Sequence, residues 1–247
     1  MSSSDAEREA LVSCQDLVVG HRGVPLLPPL SLTLRRGEIW AVIGRNGSGK
    51  TSLMKTLLAL QAPVSGHVSH ERPQVRLAYL AQRQAYDDFY PLLARDVVGM
   101  GLERQKSFWR RPSSERAELV DRALMRCGAR DLALKPFRQL SEGQKQRVLF
   151  ARVAVGEPDL ALLDEPTSAM DMVAERESFE LIARLSSELS LCVVIVSHYL
   201  GVVRKFADRA LLLDRELFSA VQGTPSEVLA HDSFRARYGT TVEGSVV

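Results

Sequence analysis

Cysteine is scarce: Cys14, Cys127 and Cys192 are the 3 in 247 residues, and they stand far apart without metal-type spacing. That pattern excludes a disulfide framework and a thiolate metal cluster, and the three read as reduced thiols of a cytosolic protein. Long hydrophobic runs are missing too. No stretch approaches the roughly 18 apolar residues of a membrane span, and the best candidate, Leu191–Val196, is far too short. Met1 to Glu9 is polar and partly acidic, without the apolar centre of a signal peptide. Nor is one sign of charge in excess: 32 Lys plus Arg face 30 Asp plus Glu, a net charge of +2. Such a balance gives no case for nucleic acid as a partner. No internal repeat or low-complexity block stands out. What is present is a hydrophobic content of 45%, enough for a large core in one domain with subdomains or in two small domains.

One stretch organises the rest. Gly44-Arg45-Asn46-Gly47-Ser48-Gly49-Lys50-Thr51 fits G-x-x-x-x-G-K-[ST] without a mismatch. Trp40–Ile43 ahead of it reads as a buried strand, and Ser52 to Leu60 behind it as a helix. Glycines let the backbone wrap an anion so that several N–H groups point inward. The following helix adds its positive end. Lys50 would then reach the β- and γ-phosphates and the Thr51 hydroxyl would ligate Mg²⁺. The predicted ligand is a nucleoside triphosphate.

Around this loop, Leu11–Val19, Leu30–Leu34 and Val75–Leu80 read as strands, the last ending at Gln82. From Asp87 to Gly156 strand signals give way to helical ones. Pro112-Ser113 opens a helix to about Cys127, and Ser141 with Gln144 forms a capping-box pair at the start of a helix to about Val155. Leu160–Leu163 is an apolar strand ending in Asp164-Glu165. A helix over Glu175–Leu189 and a fully apolar strand over Leu191–Val196 follow, the latter ending in Ser197-His198. Ala210–Leu213 and Leu217–Val221 predict a hairpin, and Pro225–Tyr238 a terminal helix or two. Alternating strands and helices predict an α/β fold with a mostly parallel sheet. Ligands bind at the C-terminal ends of such strands. The glycine loop, Asp164-Glu165 and His198 all fall there.

The chemistry follows from the side chains. Asp164 can meet the Mg²⁺ held by Thr51, since Mg²⁺ takes few carboxylates and keeps waters. In an extended segment adjacent side chains diverge, so Glu165 can face an attacking water while Asp164 faces the metal. His198 would contact the γ-phosphate or orient the water, and the Gln82 side-chain carbonyl can ligate Mg²⁺ or water. The helix starting at Ser141 can bind an anion at its N-terminus, with Gly143 allowing close approach. Its place in the helical insertion suggests that this phosphate is bound by another subunit.

These motifs together resemble the ATPase subunits of ABC transporters. Gly44–Thr51, Gln82, Leu140–Gln144, Leu160–Glu165, Ser168-Ala169-Met170-Asp171 and His198 occur in the order and spacing of that family. They are similar to its Walker A, Q-loop, signature, Walker B, D-loop and H-loop, respectively. The resemblance implies ATP and Mg²⁺ as ligands, with Ser52 beside the Walker A residues in the nucleotide site. It implies a P-loop NTPase core with a mostly parallel sheet, an antiparallel β subdomain at the N-terminal side and an inserted α-helical subdomain. In this single ABC ATPase domain over 1–247, residues 11–86 and 157–230 form the β subdomain plus P-loop core. Residues 87–156 form the helical subdomain with the signature, and 231–247 a C-terminal tail.

In the family two copies pack head to tail, so Ser141, Gly143, Gln144 and Asp171 would meet the nucleotide of a second copy. His21 stands where the family usually stacks a Tyr on adenine. Glu142 replaces the first Gly of the usual Leu-Ser-Gly-Gly-Gln and is expected to face away from the triphosphate. Asp87–Pro91 and Asp96–Gly101 are similar to importers of manganese, zinc or iron. The implied reading is an ATPase subunit powering import of a divalent metal ion or metal chelate. It would be peripheral on the cytoplasmic face of the plasma (inner) membrane, with transmembrane permease subunits and an extracytoplasmic solute-binding protein. Siderophore, haem or cobalamin import, or a soluble cluster-assembly ATPase, are the alternatives.

Overall fold

In the computed structural model, which describes residues 8–72, 74–82, 92–102, 113–167 and 170–239, the strands run close to where the apolar patterns place them. In chain order they are β1 (Ala10–Val18), β2 (Gly20–His21), β3 (Val24–Pro25), β4 (Leu30–Arg35) and β5 (Ile39–Ile43). Helix α1 (Lys50–Leu57), β6 (Ser65–His70), β7 (Leu77–Leu80), α2 (Ala94–Gly99), α3 (Ser113–Arg126) and α4 (Glu142–Ala154) follow. Then come β8 (Leu160–Leu163), α5 (Met172–Leu189), β9 (Cys192–Val196), α6 (Leu200–Phe206), β10 (Arg209–Asp214), β11 (Ser219–Gly223), α7 (Pro225–Ala230) and α8 (Asp232–Tyr238). Asp87–Pro91 and the Ser168-Ala169 pair lie outside the described residues.

Contacts divide the chain into two compact units. One joins Met1–Val75 to Cys192–Val247, and the other is Arg76–Leu191. In the first, β1 lies between β4 and β6 in an antiparallel sheet, with Cys14 opposite both Leu32 and Val68. Strand β6 has little apolar signal of its own, and the sequence reading has only turn residues there. Pairing with β1 supplies the strand, as tertiary context does for weak β segments. The same unit holds β5 between two parallel neighbours, β9 and β10, with Trp40 opposite Val194 and Arg209. All five residues of β5 and of β9 are buried, as parallel strands covered on both faces require. The expected hairpin is present, β10 pairing antiparallel with β11.

One face of β5 and β10 is closed by the C-terminal helices. Ala41, Ile43, Ala210 and Leu212 pack with Val203 of α6, Val228 of α7 and Phe234 of α8. Phe234 is 0% exposed, and Tyr238 stacks on its ring at 4.7 Å.

In the second unit β7 and β8 pair in parallel, Leu77 with Leu160 and Leu80 with Leu163. Helices α2, α3 and α4 pack together around Val97, Val98, Ala123, Leu124 and Val148. Helix α5 starts at Met172, three residues before the Glu175 expected from its apolar pattern. Asp171 is the reason: its Oδ1 accepts from the N–H groups of Val173 and Ala174 at 3.0 and 2.9 Å, which opens the helix early.

Phe234→Ala should lower the stability of the folded chain by about 3–5 kcal/mol, the range for a large aromatic removed from a closed core. Urea unfolding followed by circular dichroism reads it. A change under about 1 kcal/mol would mean that α8 is not part of this core.

Candidate active site

The glycine loop follows β5 at the C-terminal end of the first unit's parallel strands. Gly49 ends the loop at φ 102°, a left-handed conformation natural to glycine, and serves as N-cap of α1. The helix therefore starts at Lys50, two residues before the expected Ser52, and Thr51 and Ser52 lie in its first turn. Gly44 sits in close quarters: a Cβ there would fall 2.5 Å from the Leu213 carbonyl oxygen and 2.5 Å from Ser48 Oγ. Lys50 is buried at 6% exposure, and its Nζ donates to the carbonyls of Gly44 at 2.7 Å and Arg45 at 3.1 Å. The loop thus closes on its own ammonium. Ser48 Oγ is buried and has no hydrogen-bond partner among the described residues. Unpaired buried hydroxyls are costly, and one inside a glycine loop suits an anionic ligand.

His198 follows β9 and is exposed, while Ser197 before it is buried and accepts the Tyr199 N–H at 3.1 Å. His198 shares an open cavity of about 460 Å³ with Arg45, Asn46 and Glu216. The structure therefore brings His198 to the glycine loop, as the strand-end argument predicts. His21 is exposed on the small β2–β3 hairpin.

In the second unit Asp164 is the residue after β8. It is 2% exposed, its N–H donates to Leu80 O at 2.9 Å, and the Tyr79 hydroxyl donates to its Oδ2 at 3.5 Å. Burial and the neighbouring Asp164 charge push the Tyr79 phenol above its ordinary pKa, so it stays a donor. Glu165 corrects one step of the sequence argument. Its φ is 48°, so the pair is not extended and simple alternation does not set the two side chains apart. A non-glycine residue in this region is uncommon and is held by its surroundings. Gln82 ties the side chain instead: its Nε2 donates to Glu165 Oε2 at 2.5 Å.

The expected capping box at the signature is present. Gln144 N–H donates to Ser141 Oγ at 3.4 Å, and Ser141 N–H donates to Gln144 Oε1 at 3.1 Å. Glu142 receives Lys145 Nζ at 2.7 Å, one turn down the helix, so its charge is met on the helix surface. Asp171 is committed to capping α5. What sequence reasoning missed is a second cavity of about 280 Å³ beside the glycine loop, walled by Arg45, Asn46, Gly47, Ser48, Asp214 and Arg237 among others. The last two carry no local signal, since a hairpin and a helix separate them.

Comparison with known proteins agrees with these parts. The family model for ABC transporters matches residues 27–168, more than half of the chain. The chain belongs to the ABC transporter family. It is an ATPase of that family, turning ATP and water into ADP and phosphate coupled to transport, and transport implies membrane permease partners. It is 36% identical over 235 residues to the zinc import ATP-binding protein ZnuC of Chromohalobacter salexigens, covering 95% of this chain and 91% of that protein. The ZnuC of Yersinia enterocolitica is 33% identical over 229 residues, covering 93% and 85%. Among solved structures, one described as a metal-chelate type ABC transporter in an inward-facing conformation superposes with a TM-score of 0.82 at 27% identity. That match covers 92% of this chain and 88% of the other. CbiO1 of Clostridium perfringens, part of the ABC transporter complex cbiONQ, gives 0.79 at 25% identity, covering 93% and 96%. Among the described residues no helix is long and apolar enough to cross a membrane.

Gly44→Ala should weaken ATP binding about tenfold, because the new methyl meets a backbone carbonyl that cannot step aside cheaply. Titration with a fluorescent ATP analogue measures it. Wild-type affinity would show that the Leu213 contact does not constrain the loop.

Proposed function

We propose that this ABC ATPase powers import of a divalent metal ion, or of a metal chelate, through its membrane partners. The observation that carries this reading is end-to-end similarity to proteins named for zinc import, over 95% of the chain in one case. The likeness to a metal-chelate type transporter supports it. In this reading the chain sits on the cytoplasmic face of the membrane, and an extracytoplasmic solute-binding protein delivers the cargo.

The loop from Gly44 to Thr51 takes the triphosphate. Its N–H groups, the orphaned Ser48 hydroxyl and the N-terminus of α1, with Ser52, face the anion. Lys50 exchanges the carbonyls of Gly44 and Arg45 for phosphate oxygens, which carry more charge. Thr51, Gln82 and Asp164 offer only oxygen donors, the hard set that Mg²⁺ prefers. When bound, Mg²⁺ neutralises phosphate charge. Glu165 accepts the proton of the attacking water, and Gln82 orients that carboxylate. His198 holds the γ-phosphate or the water in line. His21 contacts the adenine.

A second copy completes the site. Ser141, Gly143 and Gln144 present a helix N-terminus to the partner's γ-phosphate, with Asp171 nearby. Glu142 stays turned toward Lys145, so the helix tip remains favourable to an anion. ATP binding and hydrolysis then bias a two-state closing and opening of the pair.

Two outcomes are expected. Glu165→Gln should keep ATP binding, lower turnover by about 10²–10⁴-fold and accumulate an ATP-stabilised dimer in size-exclusion chromatography. Turnover near wild type would remove Glu165 as the base. Cells or proteoliposomes carrying the chain with its permease should take up Zn²⁺, Mn²⁺ or Fe²⁺ in an ATP-dependent way. Uptake of none of them, free or chelated, by an ATPase-competent complex would overturn the metal reading.

A further inference from the structure

The C-terminal end of the first unit carries a charge network that the reaction above does not use. Arg237 of α8 lays its guanidinium on Asp214: Nε donates to Oδ2 at 2.6 Å and Nη2 to Oδ1 at 2.9 Å. Its Nη1 reaches Glu216 Oε2 at 2.8 Å. Asp214 also accepts the Leu217 N–H at 3.0 Å. The carboxylate side chain is 7% exposed and the arginine 18%. A two-pronged pair of this kind fixes distance and orientation together. The Arg237 hydrogen bonds hold the Asp214 carboxyl down at about 2, so it is ionised at any working pH.

The position of the pair gives it meaning. Asp214 is the last residue of β10, next to the Leu213 carbonyl that crowds Gly44. On the other side α8 is anchored through Phe234 in the core cluster that includes Ala41 and Ile43, residues of the strand that leads into the glycine loop. The Tyr238 ring is stacked on Phe234, and its hydroxyl is buried with no partner among the described residues. Burial and the Asp214 charge push that phenol above its ordinary pKa, and the Arg45 and Arg237 charges partly offset them. The end of β10, the corner Arg45–Ser48 and Arg237 of α8 line one open cavity.

We infer that Arg237, through its fork on Asp214, is a positioning residue for the phosphate loop. It fixes the end of β10 against Gly44 and so holds the Arg45–Ser48 corner in the shape that receives the triphosphate. The inference rests on ATP binding at Gly44–Thr51. Removing Arg237 strands a nearly buried carboxylate, which then turns toward water and drags the adjoining Leu213 carbonyl with it. A small displacement there is enough, since loops that clamp phosphates act through their geometry.

The test uses the full chain, with the N-methylanthraniloyl derivative of ATP as probe, and the chain–permease complex for kinetics. Arg237→Ala and Asp214→Asn should each raise the Kd for the probe by roughly tenfold, and raise KM for ATP while kcat changes less than about threefold. Arg237→Lys, which keeps the charge and one hydrogen bond, should recover part of the affinity. The double variant should bind no worse than Arg237→Ala, because both remove one interaction. Wild-type Kd in folded Arg237→Ala, with only the melting temperature lowered, would reduce Arg237 to a structural tether and overturn the inference. Where Arg237→Ala does not fold, wild-type Kd in folded Asp214→Asn overturns it by the same readout. A wild-type chain that binds no probe would instead remove the nucleotide site itself.

Discussion

The contact on which this protein most depends is the approach of the Leu213 carbonyl to the α-carbon of Gly44. It exists because β10, β5 and β9 run parallel and in register, Leu212 beside Ile43 and Val42 beside Val196. Their ends then fall at one level, and the chain leaving each end is presented together. The glycine loop leaves β5, His198 leaves β9, and Asp214 ends β10. A residue with a side chain at Gly44 would push the loop off the sheet, and the turn that holds Lys50 Nζ on two carbonyls would open.

The second unit handles its chemical groups differently. Its candidate site side chains are tied by hydrogen bonds to one another or to a neighbour. Gln82 holds Glu165, Tyr79 points at Asp164, and Ser141 and Gln144 satisfy each other at the tip of α4. Each of these bonds fixes a group that would otherwise wander over several rotamers, at the cost of having to be released or shared when a ligand arrives. The Glu165 backbone, at φ 48°, belongs to the same economy of constraint: the carboxylate is aimed by the main chain as much as by its rotamer.

Local signals were the legible ones. The glycine loop, the capping box at Ser141 and Gln144, and the apolar strand Leu160–Leu163 could all be read because each depends on neighbours within a few residues. Strand β6 could not, since its polar residues become a strand only against β1. The conformation of Glu165 was misjudged because alternation assumes an extended chain. The pair of Asp214 and Arg237 was invisible for a plainer reason: 23 positions separate them, and nothing local marks either as the other's partner. The candidate reaction groups sit in local motifs, whereas the Asp214–Arg237 fork is a pair distant in sequence.

The three thiols carry one further consequence. Cys14 and Cys192 lie in strands of the first unit, and Cys127 follows α3 in the second; all three are free and buried. Burial pushes the Cys14 and Cys127 thiols up to about 12 and raises Cys192 as well, so none is a thiolate at neutral pH. The folded chain therefore offers no cysteine thiolate to passing zinc or iron. A maleimide can reach these sulfurs only when the surrounding unit opens, so the two units carry separate built-in reporters of their own breathing.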